Sequence, residues 1–168
     1  MIQFERLILT LLVVILCVGC DQATKALASR KLTPSRPVVL IENVLHLEYT
    51  ENTGAMMSVG SDLPDSVRFW LFSVFAGCAL CAILVFTILD KSLRFIDILS
   101  LSFVLGGGLG NLVDRIFKGG VVVDFMILNL GTLRTAIFNV ADLSIVTGLL
   151  LLVCSHLPWF SRQPQRLD

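Results

Sequence analysis

Charge is scarce in this sequence. Only 15 % of its 168 residues are Asp, Glu, Lys or Arg, where globular chains carry about 25 %, and 55 % are hydrophobic. That balance excludes a water-soluble globular domain, because for much of the chain the solvent has to be lipid. The few charges cancel, 13 basic against 13 acidic, which leaves no footprint for nucleic acid or an acidic partner. Histidine is rarer still. His46 and His156 are far apart with no H-x-x-x-H spacing, so zinc-protease chemistry has no ligand set. No serine or cysteine sits beside a base that would activate it. Cys17, Cys20, Cys78, Cys81 and Cys154 all lie inside apolar runs. Their two C-x-x-C pairs therefore read as small packing residues rather than metal ligands.

What remains is apolar length. Four uncharged stretches stand out: Leu7–Cys20, Phe69–Leu89, Ile98–Val113 and Leu143–Ser161. A bilayer crossing needs ~20 residues, and flanking residues extend the first and third to that length. The expected fold is mainly α and integral to the membrane. It is one membrane domain over 1–168 with four transmembrane helices at about 6–27, 68–89, 96–115 and 137–158. Between helices 1 and 2, Pro34, Pro37 and Pro64 forbid a long helix. There Val38–Ile41 and Val44–Thr50 read as two strands around a Glu42-Asn43 turn. Leu45, Leu47 and Tyr49 alternate with His46, Glu48 and Thr50 as in a half-buried strand. A small sheet on the membrane surface is expected within 30–66, and a loop with an extended Val121-Val122-Val123 run within 117–136.

The short link Asp90–Asp97 and both termini would share one side, and the two long loops the other. Basic residues do not orient the chain. Arg6, Lys91, Arg94, Arg162 and Arg166 lie on the terminal side and the other eight of the 13 on the loop side, so the positive-inside rule gives no answer. Cys17-Val18-Gly19-Cys20 imitates a lipoprotein cleavage site, but Glu5 cancels Arg6 where a signal peptide carries net positive charge.

Polar residues inside or beside a span are costly and mark candidate function. Asn111, Asp114 and Arg115, at i, i+3 and i+4, share a helix face; Asp114 and Arg115 also read as an interfacial ion pair. The glycines before them, Gly106, Gly107, Gly108 and Gly110, lack phosphate-loop spacing and suit close helix approach. Asn139 and Asp142 share another face, where helix capping accounts for one of them. Asp124 is a carboxylate isolated between Val123 and Phe125, which demands a partner, and Asp142 is the candidate if the loop folds back. Two carboxylates at one apolar site share a proton. One then activates water while the other donates to the carbonyl oxygen, as aspartic peptidases require. The same carboxylates would also serve a small proton- or ion-coupled membrane transporter, though no inverted repeat is present, or simply glue helices together.

Five segments carry a resemblance. Asp21-Gln22-Ala23-Thr24-Lys25 is similar to the D-Q-x-[ST]-K motif of the lipoprotein signal peptidases. Asn52-Thr53-Gly54-Ala55 resembles their N-x-G-A motif, and Gly110-Asn111-Leu112-Val113-Asp114-Arg115 their G-N-x-x-D-R. Val123-Asp124-Phe125 resembles their D-F element, and Phe138-Asn139-Val140-Ala141-Asp142 their F-N-x-A-D. The five fall in the family's order and span nearly the whole chain. The resemblance implies a peptidase that cuts diacylglyceryl-modified prolipoproteins just before the lipidated cysteine, with Asp124 and Asp142 as catalytic dyad and neither metal nor cofactor. Asn52, Asn111, Arg115 and Asn139 match positions that hold substrate or inhibitor around the dyad. Gly54 and Ala141 belong to the same motifs, Asp114 matches a supporting position, and Asp21 and Lys25 match positions needed for full activity or stability. It further implies a monomer surrounded by membrane lipid in the bacterial cytoplasmic (inner) membrane, with the active site toward the outer face and both termini cytoplasmic. Inhibition by globomycin-type peptides is implied as well. Met56-Met57 departs from the family pattern in a loop over the substrate channel, which bears on substrate fit.

Overall fold

The computed structural model describes residues 2–34, 36–55 and 58–157. Met56 and Met57, and the C-terminal residues from 158 with Arg162 and Arg166, lie outside the described residues. The chain runs α1 (Gln3–Lys31), β1 (Val38–Ile41), β2 (Leu45–Asn52), α2 (Asp65–Phe69), α3 (Ala76–Leu89), α4 (Phe95–Phe117), β3 (Val122–Leu130), β4 (Leu133–Arg134) and α5 (Val140–His156). A π-helical turn, Trp70–Phe75, splices α2 into α3, so that Asp65–Leu89 forms one rod of 25 residues.

α1 is inverted relative to a helix in water. Its buried residues are Arg6, Thr10, Cys17, Asp21, Lys25 and Ala28, spaced three, four or seven apart on one stripe. Leu11, Leu12, Ile15 and Leu16 face outward, the arrangement lipid favours. The polar stripe extends α1 beyond the expected end near residue 27, because Asp21 and Lys25 find partners inside the bundle and hold the last turns in place. At the other end the Arg6 guanidinium is buried against the link after α3. It donates to the carbonyls of Asp90, Lys91 and Leu93.

α4 is the hub. It packs on α1, α3 and α5, and its consecutive glycines distribute those contacts. Successive helical residues turn by about 100°, so Gly106 faces Cys17 of α1, Gly107 faces Ala141 and Ile145 of α5, and Gly108 faces Leu80 of α3. From the other side Gly148 of α5 lies against Ser100 and Val104. Small residues allow this approach.

Three helices, Gln3–Lys31, Asp65–Leu89 and Phe95–Phe117, are long and apolar enough to cross a membrane, whereas Val140–His156 is apolar but shorter. The four strands form one antiparallel sheet in the order β1-β2-β3-β4. Here the structure departs from the sequence expectation. The segment between α4 and α5 is not a separate loop: β3 pairs with β2, Asn52 opposite Val122 and Thr50 opposite Asp124. Asn43 makes the expected turn with φ of 59°. The expected alternation along β2 is absent, since Leu45 to Thr50 are all half-buried, with neighbours on both edges and partial cover on both faces.

Candidate active site

The site forms where the sheet meets the C-terminal ends of α1 and α4 and the N-terminal end of α5. β3 is stitched to the entry of α5. The Phe138 carbonyl accepts from Phe125 N at 3.0 Å and Met126 N at 2.8 Å, and Phe138 N donates to the Met126 carbonyl at 2.9 Å. This fold-back brings Asp124 to the start of α5, beside Asp142.

Asn139 is the N-cap of α5, and the cap involves both polar residues at once. The Asn139 side-chain oxygen accepts from Asp142 N at 3.0 Å, and Asp142 Oδ2 accepts from Asn139 N at 3.1 Å. Capping therefore explains two residues where the sequence reading allowed it only one, and it still leaves one atom of each unspent. Asn139 Nδ2 donates to Asp124 Oδ1 at 2.6 Å and Asn111 Oδ1 at 3.1 Å. Asp142 Oδ1 accepts from Asn111 Nδ2 at 2.9 Å. Asn52, at the end of β2, donates its amide to Asp124 Oδ2 at 2.9 Å while its oxygen takes Gly54 N at 2.9 Å. Three asparagine amides thus converge on two carboxylates.

The other acidic residues of this end are neutralised. Lys25 Nζ lies 2.7 Å from Asp21 Oδ2 and 3.1 Å from Asp114 Oδ2, with all three side chains at 0 % exposure. Lys118 closes on Asp114 Oδ1 at 2.9 Å. The Asp114–Arg115 ion pair read from the sequence is not formed: a lysine on either side claims Asp114. Arg115 instead donates to the Gly54 carbonyl at 2.9 Å, stands 5.7 Å from the Phe72 ring centre, and keeps a buried Nε without a partner. Ala141, fully buried, donates its backbone N–H to Asp21 Oδ1 at 2.9 Å and so ties α5 to α1. Among the described residues Asp124 and Asp142 have no basic side chain in ion-pair contact.

Every site residue read from the sequence is therefore present in one connected cluster: Asn52, Gly54, Asn111, Arg115, Asn139 and the two aspartates above, Asp21, Lys25, Asp114 and Ala141 below. The reading missed Gln22 and Lys118. Gln22 donates to Asp21, to the Gly110 carbonyl and to Asp114 Oδ1, and Lys118 lies four residues after Asp114, a helix-pair spacing visible in the sequence. Two cavities adjoin this cluster, one against Arg115 and the other against Asp142. One of about 530 Å³ is bounded by Thr53, Arg68, Ser73 and Arg115. The other, about 390 Å³ and mainly apolar, holds Asp142 with Phe138, Leu143 and Val146.

Burial pushes the Asp124 carboxyl up to about 6, and the charge of Asp142 adds to the rise; the amides of Asn52 and Asn139 oppose it. The folded state binds this proton more tightly than the unfolded chain. Its stabilising contribution is complete below the ordinary carboxylate range and is lost as pH rises through about 6. Thermal unfolding in detergent should show a lower midpoint at pH 7.5 than at pH 5, and Asp124→Asn should shrink that difference. An unchanged slope in the variant would remove Asp124 as its source.

A family model described as signal peptidase (SPase) II matches residues 13–158. Among curated relatives, the lipoprotein signal peptidase of Halothermothrix orenii is 33 % identical over 142 residues, covering 84 % of this chain and 90 % of the relative. That of Chlorobium phaeobacteroides is 36 % identical over 152 residues, covering 85 % and 86 %. A bacterial membrane enzyme solved in meso at 2.3 Å superposes with a TM-score of 0.80 at 26 % identity, over 95 % of this chain and 94 % of that one.

Proposed function

Because this chain belongs to the signal peptidase II family, aspartic-type membrane peptidases that cleave the signal peptides of lipoproteins, we propose that Asp124 and Asp142 are its catalytic dyad. The supporting observation is the contrast in charge pairing. Of the acidic side chains gathered here, Asp21 and Asp114 are matched by lysines, while Asp124 and Asp142 receive only amide and backbone donors. Two neighbouring carboxylates with no cation against them hold one proton between them. The ionised member takes a proton from water, and the hydroxide so formed attacks the scissile carbonyl. The protonated member donates to the carbonyl oxygen as it becomes an oxyanion. Collapse of the tetrahedral intermediate breaks the C–N bond, and the leaving amine takes up a proton.

The substrate is a prolipoprotein whose cysteine carries a diacylglyceryl thioether, cut just before that cysteine. Its signal segment and acyl chains stay in the lipid, and the mainly apolar cavity that holds Asp142 suits an apolar part of the substrate. Asn52, Asn111 and Asn139 hold the carboxylates, and Arg115 with the Gly54 carbonyl forms the wall facing the departing lipoprotein. α5, with the residues entering it, makes the fourth crossing of a single four-span membrane domain over 1–168. The site then lies at the outer face of the cytoplasmic (inner) membrane, both termini on the cytoplasmic side, and a monomer suffices. Globomycin-type peptides compete for the same wall.

Purified protein given a diacylglyceryl-modified prolipoprotein should produce a gel-shifted product in EDTA, and an unmodified prolipoprotein should remain whole. Inhibition by the chelator would refute a metal-free mechanism. Equal cleavage of both substrates would refute recognition of the lipid.

A further inference from the structure

The three asparagines around the dyad share a design. An amide side chain can face a carboxylate with its NH2 or with its oxygen, and only the first is tolerable when the carboxylate is ionised. In each case an obligate donor holds the oxygen on the far side. Gly54 N holds the Asn52 oxygen and Asp142 N holds that of Asn139, and both of these are backbone groups. Asn111 is different. Its oxygen accepts from Lys25 Nζ at 2.9 Å and from Asn139 Nδ2 at 3.1 Å, and the lysine is the one side chain in the set that carries donors only. Lys25 spends its other two protons on Asp21 and Asp114, so it is fully engaged and fully buried.

We propose that Lys25 is a positioning residue for the dyad: through Asn111 Oδ1 it fixes which end of the Asn111 amide meets Asp142. The inference rests on the two-aspartate reading. A purely structural lysine would neutralise Asp21 and Asp114 and nothing more. A positioning lysine also sets the proton affinity of the pair, since losing it leaves only the longer bond from Asn139 Nδ2 to hold the Asn111 oxygen and makes it easier for Asn111 to turn that oxygen toward Asp142. That orientation is acceptable only if Asp142 is protonated. The charged and titratable groups facing the dyad are Asp21 and Lys25 from α1, Asp114, Arg115 and Lys118 from α4, and each aspartate for the other. On β2, Tyr49 and Glu51 pair with one another at the exposed side of Asn52. Only Lys25 reaches a dyad asparagine through its side-chain oxygen.

The test keeps the buried charge constant. In an Asp21→Asn background, Lys25→Gln and Lys25→Met leave Asp114 paired with Lys118, and they differ in whether position 25 can donate to Asn111. With a diacylglyceryl-modified prolipoprotein, the Met variant should lose about ten- to a hundredfold in kcat relative to the Gln variant, the scale of a hydrogen bond to a charged group. KM should be similar in the two. The active pH window of the Met variant should move upward by about one unit, while that of the Gln variant stays at the wild-type position. Equal kcat and superimposable pH profiles for the two variants would overturn the proposal. If Met at position 25 prevents folding, Asn111→Ala carries the test, because it removes the same donor from Asp142 with Lys25 in place. An unmoved pH profile there is equally fatal. Asp142→Asn, assayed alongside, separates the two claims: if it still cleaves, the dyad reading fails, and if it is inactive while the Lys25 variants match, only the positioning role fails.

Discussion

Asp142→Asn and Asp124→Asn should each abolish cleavage, by about 10³-fold or more, while leaving the protein folded. General acid–base catalysis contributes about 10²–10⁴-fold on its own, and here the base and the acid are both needed in the same step. Asparagine neither takes a proton from water nor gives one to an oxyanion. The effects should therefore be strongly non-additive, with the double variant losing no more than either single one. The cost to the fold is small and calculable in kind. Each carboxylate accepts two donors, Asn111 Nδ2 and Asn139 N for Asp142, Asn139 and Asn52 amides for Asp124. Asparagine accepts one and meets the other with an N–H, a loss of about 1 kcal/mol. The measurement is single-turnover cleavage beside a thermal melt. A melt close to wild type with no product is the expected pair, and product formed by either single variant at more than a few per cent of the wild-type rate would sink the dyad.

Gly107→Ala should be the most disruptive conservative change in the bundle. A Cβ at position 107 would overlap the backbone carbonyl of Ala141 and approach Ile145 Cγ1 to 2.7 Å. The first is main chain in the opening turn of α5, which cannot rotate aside, so the helix itself must move. Overpacking of this kind costs about 1–3 kcal/mol, and the displaced turn is the one that carries Asp142 and the Ala141 N–H bonded to Asp21. Activity should fall more steeply than stability. Gly19→Ala is the matched control, because nothing lies within 4 Å of its added carbon, and it should leave both the melt and cleavage unchanged. If Gly107→Ala behaved like Gly19→Ala, the packing of α4 on α5 would be looser than described.

These two predictions differ in how far the sequence alone would have led to them. Asp124 and Asp142 stand out because each is a carboxylate in apolar surroundings, and lipid makes such residues expensive. Asn111 and Asp114 announce themselves by helical spacing, and both do reach Lys25. Other features depend on long-range pairing that periodicity does not encode. That β3 completes the sheet of β1 and β2 follows from a long-range register that sets Asn52 opposite Val122 and Thr50 opposite Asp124, and Val121-Val122-Val123 says only that the segment is extended. The alternative reading of Asp114 and Arg115 as an ion pair does not hold because neighbours in sequence point to different partners on a helix, and Lys25 and Lys118 pair with Asp114. The reciprocal cap at Asn139 and Asp142 is legible as an Asn-x-x-Asp pattern, and capping does not compete with chemistry there, because each residue has atoms enough for both. The alternation along β2 marks a strand, but it presumes one wet and one dry face, and from Leu45 to Thr50 that strand is half-buried on both.

The stitch between β3 and α5 has a mechanical consequence. Both carboxylates sit within the stretch 124–142, and the three hydrogen bonds that join Phe125 and Met126 to Phe138 clamp that stretch close to its two ends. Their separation is a local property of one short loop closure. β1, exposed along its whole length and joined to the rest only through β2, takes no part in it. The spacing of the proposed dyad and the shape of β1 are therefore separate variables: β1 can bend, fray or drift in sequence while β2, which holds Asp124 through Asn52, and the stitch to α5 keep the two carboxylates in place.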